Sequence, residues 1–309
     1  MSDPPFDVLA GRPVTLAHDD EIEPRPAPAP LLLLRSLWGS AAGRLGLCCV
    51  LLIVGCAILD RWIVPYDPNV IDVSARLAAP SLKHWLGADQ LGRDLLSRII
   101  DGSRVVMGIV VVGVGVALAL GMAAGVIAGY GFRTLGAIFA LFCDVIRSLP
   151  MMLFALAVAS LIGTGLTTVT LIVIMFLIPV YFRVARNQTV ALKHSEYVTA
   201  ARAMGASSLR VMLKHILPNL IGQMVVLVAM DVPTVIGIEA GLSFLGEGAR
   251  PPLATWGSLL RDGFAFIREA PHIALVAGVP IVIATIGFTF LGEALRDSLD
   301  PRVARGARH

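Results

Sequence analysis

Four polar side chains interrupt apolar stretches of this chain: Asp144, Arg147, Gln223 and Asp231. A charge near the centre of a bilayer costs about 3 kcal/mol or more, so such residues pair with one another or face a wet cavity. Asp144 and Arg147 stand three residues apart and are expected to pair on one helix face, with Arg147 also able to reach the interface. Asp231 lies two residues before Pro233 and has no basic residue near it in sequence. With Gln223 and Asp144 it is the candidate for lining a polar path, and its charge would favour cationic groups. Other chemistry is missing. The three lysines, Lys83, Lys193 and Lys214, never follow a glycine, so no G-x-x-x-x-G-K-[ST] loop exists to hold ATP. There is no H-E-x-x-H, and GLSFLG (241–246) has the wrong spacing for G-x-S-x-G. His84, His194, His215 and His272 show no ligand spacing and read as structural. Cys48, Cys49, Cys56 and Cys143 all lie in apolar segments and read as small packing residues, not as a disulfide framework. No catalytic residue and no metal site is expected.

The elements that must position these residues are membrane helices. The chain has 309 residues, 56% of them hydrophobic, and a mean hydropathy of +0.80, far above that of a soluble domain. A crossing helix needs about 20 mostly apolar residues. That length fits Leu45–Val64, Val105–Gly129, Leu135–Ile162, Leu166–Phe182, Leu217–Ile238 and Ile273–Leu291. The expected fold is therefore all-α and polytopic, with six transmembrane helices. Along the second crossing Gly113, Ala117, Gly121, Gly125 and Gly129 recur every four residues. They would let a neighbouring backbone approach, in this chain or in a partner. Pro150, Pro179, Pro233 and Pro280 are expected to bend or open their helices. Residues 1–40, with PRPAPAP at 24–30, read as a disordered tail. No basic stretch leads directly into an early apolar core and no small-residue cleavage site follows the first apolar segment. That segment reads as a retained anchor rather than a signal peptide.

Basic residues accumulate in cytoplasmic loops. The loop at 183–216 holds Arg183, Arg186, Lys193, Arg202, Arg210 and Lys214 against one acid, Glu196. The N-terminal tail carries Arg12, Arg25, Arg35 and Arg44; the C-terminal end carries Arg296, Arg302, Arg305 and Arg308. Near 65–103 the charges balance instead: Arg61, Arg76, Lys83, Arg93, Arg98 and Arg104 against Asp60, Asp67, Asp72, Asp89, Asp94 and Asp101. Both termini are thus expected inside, with 65–103 and 240–271 outside. Trp62, Trp85 and Trp256 then fall at the outer interface, as aromatic anchors do.

Residues 195–205, SEYVTAARAMG, are cytoplasmic in that arrangement. Alanine favours helix. Tyr197, Ala200, Ala201 and Met204 recur at helical spacing as a weakly apolar stripe, Gly205 supplies a stop, and Ser207 or Ser208 can cap the next helix. Such a short helix either rests on lipid or is offered to another protein.

The stretch EYVTAARAMGASSLRVMLKHILPN (196–219) resembles the cytoplasmic signature of ABC importer permeases. The matching positions are Thr199-Ala200-Ala201, Gly205 and Leu217-Pro218; Thr199 stands where many members have glutamate. HWLGADQLGRDLLSRIIDGSR (84–104), GLSFLGEGARPPLATWGSLL (241–260) and LGEALRDSLDPR (291–302) resemble the C-type permease subunit of dipeptide, oligopeptide and nickel importers. The resemblance covers roughly 40–302. It implies the type I ABC importer permease fold in a bacterial inner membrane. It implies that Glu196, Tyr197, Thr199, Ala200, Ala201, Met204 and Gly205 form a coupling helix seated in an ATPase subunit. The implied partners are a second homologous permease (making a heterodimer), two ATPase subunits and an extracytoplasmic solute-binding protein, with no nucleic acid. ATP and magnesium would sit in the partner subunits, with no cofactor on this chain. The cargo class is di- or oligopeptide, with nickel complexes and glutathione also handled in the family. Asp231 is a departure from the family, where this position is more often small or apolar.

The outer segments have a physical reading of their own. Asp89 is placed to cap a helix running through Ile100, with Leu91, Leu95, Leu96 and Ile99 on an apolar side and Gln90, Arg93, Asp94 and Arg98 on a wet one. Four glycines and a Pro-Pro pair keep 241–260 irregular. Asp89, Arg93, Asp94, Gly246 and Trp256 are therefore the expected docking residues for a binding protein, the other reading of the loop being a cap on the bundle. The organisation expected is a tail at 1–40, a transmembrane domain at 41–302 and a cytoplasmic tail at 303–309. The alternative function is an ion-coupled secondary transporter using Asp144 and Asp231. It would call for paired halves with broken helices, which the sequence does not display.

Overall fold

The structure is a computed structural model. It describes residues 38–299 and an antiparallel pair of two-residue strands, Phe6–Asp7 (β1) and Arg12–Pro13 (β2). Apart from that pair and residues 38–40, the tails expected at 1–40 and 303–309 lie outside the described residues. In chain order the helices are α1 (Ala41–Ile63), α2 (Leu95–Tyr130), α3 (Arg133–Ser148), α4 (Met151–Ile162), α5 (Leu166–Leu192), α6 (Glu196–Ala203), α7 (Ser208–Val211), α8 (Leu217–Leu245), α9 (Trp256–Ala265) and α10 (Pro271–Leu299). Helices α1, α2, α5 and α10, and α7 run on into α8, are each long and apolar enough to cross a membrane.

The segment read as a third crossing is not one helix. It breaks at Leu149-Pro150 into α3 and α4, whose axes differ by 99°. Proline removes the N–H of the next turn and forces its predecessor out of helical geometry, and Leu149 is extended accordingly (φ −93°, ψ 140°). The packing of α2 on α5 shows what the bent pair must do. Gly113 faces Val173, Gly121 faces Ile178 and Tyr181, Gly125 faces Phe182 and Ala185, and Gly129 faces Arg186 and Thr189. Residue numbers rise together, so the two helices run parallel. Two parallel crossings require the chain between them to return, and α3 with α4 is that return. The glycine face is therefore filled from within the chain. A Cβ built on Gly125 would lie 2.6 Å from the Phe182 carbonyl oxygen. Gly125→Ala is expected to cost about 1–3 kcal/mol through overpacking. Gly115→Ala, on the same helix but with nothing within 4 Å of the added carbon, should be near neutral. Thermal unfolding of the two purified variants checks the contrast.

Helices α1 and α10 cross in opposite directions, with Gly46 against Leu291 and Gly287 against Cys49. Pro179, Pro233 and Pro280 lie inside helices that continue through them. One end of the bundle gathers the end of α1, the start of α2, α9 and the start of α10. There Ser97 Oγ accepts from the Tyr66 amide (3.1 Å), and Trp256 Nε1 donates to the Ile99 carbonyl (3.2 Å). The opposite end gathers the C-termini of α2 and α5, α6 and the start of α8, with Lys193 Nζ donating to the Gly129 carbonyl (3.2 Å).

Candidate functional site

Helix α6 is the most self-contained feature of that second end. Ser195 precedes it in extended geometry, and its hydroxyl donates back to the Leu192 carbonyl (2.6 Å). The helix ends in a Schellman motif. Gly205 takes a left-handed φ of +86°, its amide donates to the Arg202 carbonyl (2.9 Å), and the Ala206 amide reaches the Ala201 carbonyl (3.0 Å). Val198 and Ala201 point into the body, Ala201 being only 5% exposed, and Val198 joins a cluster with Val211, Ile216 and Leu220. The opposite face, Glu196, Thr199, Ala200 and Ala203, is exposed, and Met204 stands 83% in the open. The stripe expected from sequence thus divides. Ala200 and Met204 look outward, Tyr197 is half-buried, and Ala201 is the floor of the helix rather than part of its outer face.

Side chains tie α6 to two crossing helices. The Arg202 guanidinium lies over the Tyr130 ring at the end of α2, 4.9 Å from its centroid. Tyr197 sits beside His215, and its hydroxyl accepts from Asn219 Nδ2 (3.4 Å) at the start of α8. Ser207 caps α7, accepting from the Arg210 amide. Between α7 and α8 the backbone widens into a π-turn, Met212–Ile216, where the Leu217 amide reaches back five residues to the Met212 carbonyl. Pro218 has no N–H with which to close the ordinary turn onto Lys214, which accounts for the widening. Asn219 Nδ2 takes up the His215 carbonyl at 2.6 Å.

The other end differs from the sequence reading. No helix starts at Asp89; α2 starts at Leu95, capped by Asp94, whose Oδ2 accepts from the Ser97 amide (2.8 Å). Asp89 instead closes a turn, its Oδ1 accepting from the Leu91 and Arg93 amides, while Oδ2 pairs with Arg93 Nε (2.7 Å) and Arg98 Nε (3.4 Å). The face read as wet is dry: Asp89, Arg93, Asp94 and Arg98 are all buried. His84 Nδ1 meets Asp94 Oδ1 at 2.9 Å, and Gln90 bonds to Asp262 on α9 (2.9 Å). Trp256 is fully buried against Gly102 and Ile99, so it is no interface anchor; Trp62 and Trp85 remain exposed. Of the five residues expected to receive a binding protein, Gly246 alone is exposed, at the left-handed end of α8 (φ +94°). The other four hold this end of the bundle together: Asp89 is neutralised by Arg93 and Arg98, Asp94 meets His84, and Trp256 bonds to the Ile99 carbonyl.

Nearby, the Ser74 hydroxyl and then the Lys83 ammonium hold the Asp72 carboxyl down at about 2. Because the folded value lies below the unfolded one of about 3.9, this contact is complete above that pH and is lost as pH falls through about 2. Lys83→Met should raise the Asp72 midpoint, as read by carboxyl carbon NMR on aspartate-labelled protein.

Within the crossings, Asp144 is paired, but not with Arg147. Its partner is Arg183 of α5 (2.5 Å), thirty-nine residues on. Arg147 and Gln223 are exposed. Asp231 is half-buried, its Oδ2 enclosed without a closed hydrogen bond; the hydroxyl of the fully buried Tyr181 on α5 lies beside it, near enough to donate to the carboxylate. The sequence reading missed Glu239, which is 1% exposed near the end of α8. Its Oε1 accepts from Ser243 Oγ (2.5 Å). It stands one residue past the crossing as drawn from hydropathy, and an acid directly after an apolar run was the available signal. Among the described residues no three His, Cys, Asp or Glu side chains are placed to hold a metal ion.

Comparison with known proteins gives this geometry a context. Residues 121–305 match the family described as "binding-protein-dependent transport system inner membrane component". The chain is 37% identical over 255 residues to the glutathione transport system permease protein GsiD of Pectobacterium atrosepticum, covering 82% of this chain and 85% of that protein. It is 38% identical over 255 residues to the GsiD protein of Shigella sonnei, covering 82% and 84%. Among solved structures, a chain of the MetNI methionine ABC transporter in an inward-facing form superposes with a TM-score of 0.50 at 20% identity. That alignment covers 67% of this chain and 97% of that one.

Proposed function

The chain belongs to the binding-protein-dependent transport system inner membrane components, and from that premise we propose how it is engaged and what it carries. It is a multi-pass permease subunit of an ATP-driven, binding-protein-dependent importer in a bacterial inner membrane. The finer reading has α6 as the element gripped by an ATPase subunit. The single observation that carries it is the outward face of α6: an eight-residue helix rooted by Val198 and Ala201 yet presenting Ala200 and a Met204 that is 83% exposed. An apolar methionine held in the open suits a protein groove.

On this reading α6 and both termini are cytoplasmic, ATP and magnesium reside in two ATPase subunits, and a second permease completes the path. Closure of the ATPases moves α6. Through Arg202 on Tyr130 and Tyr197 on Asn219, that motion reaches α2 and α8 together. A solute-binding protein delivers cargo at the opposite end. The relatives named for glutathione, itself a small peptide, favour a peptide-like cargo.

The test is purification followed by reconstitution. The subunit should bring down ATPases, and proteoliposomes should take up labelled glutathione or dipeptides only with ATP and a binding protein, with ionophores present. Uptake by the chain alone under an ion gradient would establish the secondary-transporter reading instead.

A further inference from the structure

Seven carboxylates lie within the crossing helices of the described residues; Glu293 and Asp297 are exposed near the C-terminal end of α10, and four of the other five have close partners. Asp60 and Asp101 pair with Arg104, Asp144 pairs with Arg183, and Glu239 holds Ser243. Asp231 makes no ion pair and no closed hydrogen bond. Its Oδ2 is enclosed without a closed hydrogen bond, and the Tyr181 hydroxyl lies beside it, near enough to donate to the carboxylate. Arg147 of α3 is close enough to act on it electrostatically but does not pair with it. Even with the Tyr181 hydroxyl turned to donate, the carboxylate keeps acceptor positions to spare and no cation is paired with it. The local inventory is thus a carboxylate and a hydroxyl, both with lone pairs able to accept. A primary ammonium offers three donors and no acceptor, and carries the opposite charge. Access exists, since Asp231 is half-buried and its neighbours on α8, Met230 and Thr234, are exposed.

We infer that Asp231, with Tyr181, is a recognition point for a primary ammonium group of the cargo as it passes along α8. This rests on the peptide-like cargo proposed above and deepens it, since every unblocked peptide carries such a group. The assembled transporter is treated with dicyclohexylcarbodiimide, a membrane-soluble carboxyl reagent, and labelling at Asp231 is followed by peptide mass spectrometry. Ethylammonium chloride should slow that labelling about threefold or more against equal sodium chloride, and acetamide should not. No labelling at Asp231, or equal labelling in all three, overturns the inference. In ATP-driven uptake of dialanine, Asp231→Asn should fall about tenfold below wild type, Tyr181→Phe should fall less, and Asp231→Glu should stay within about threefold. Undiminished uptake by Asp231→Asn means that the carboxyl is neutral and also overturns it. Should the wild-type assembly move no peptide at all, the cargo reading fails, while ammonium protection still decides the site.

Discussion

Gly205→Val is expected to reduce ATP hydrolysis stimulated by the loaded binding protein by about tenfold or more, in a chain that still inserts and still pairs with its permease partner. The reason is backbone conformation. A carbon added at Gly205 would meet nothing within 4 Å, so sterics against neighbours play no part. The left-handed φ of +86° is what valine resists, at a cost of about 1–2 kcal/mol for an ordinary L-residue and more for a β-branched one. That cost is enough to shift the α6 terminus out of its Schellman closure and to misplace Met204, which directly precedes it. About 1.4 kcal/mol is a factor of ten in an equilibrium. Gly205→Asn is the control, because asparagine tolerates this conformation, and it should retain most of the stimulation. Normal stimulation in Gly205→Val would exclude α6 as the contact. The companion variants are Ala200→Glu, which alters the exposed face and should weaken capture of the ATPase, and Ala201→Glu, which forces a charge into the floor and should damage folding first.

Asp89→Ala should be the most destabilising single change at the end of the bundle where α2 begins. It strands the Arg93 and Arg98 guanidinium groups in a dry site and removes the acceptor of two turn amides. Breaking one side of a buried ion pair costs about 3–5 kcal/mol. For a chain of this size that corresponds to a fall in Tm of roughly 5–8 °C. Asp89→Asn keeps an acceptor for the turn while deleting the charge, and should fall between. Lys83→Ala, at an exposed pair, should move Tm by about 2 °C or less. A Tm for Asp89→Ala no lower than that of Lys83→Ala would mean the network is not a structural clamp.

How far the sequence discloses these features depends on how local their causes are. Helix α6 with its stop was legible, because helix spacing and a terminal glycine act within eleven residues. The break at Leu149-Pro150 carried its signal in the proline, but the size of the bend depends on α5 returning parallel to α2. The pairing of Asp144 was misread because the nearer arginine, Arg147, is not the one that folding brings up. The outer charges were misread for a related reason. A run of Asp and Arg looks solvated until each finds its counter-ion, and those counter-ions come from turns that periodicity does not describe. Equal numbers of acids and bases between 60 and 104 were the clue. That Trp256 is buried follows from what α2 places against it, which no local pattern encodes.

The parallel pairing of α2 and α5 also sets a timetable for biosynthesis. Gly113 meets Val173, so about sixty residues must be translated between the making of a groove and the making of its filling. At roughly 5–20 residues per second that is several seconds. During that interval the glycine face of α2, with its backbone bared, has to be sheltered by the insertion machinery or by lipid. Slowing or hurrying the ribosome over 130–165 would therefore change the yield of correctly assembled transporter without altering a single amino acid.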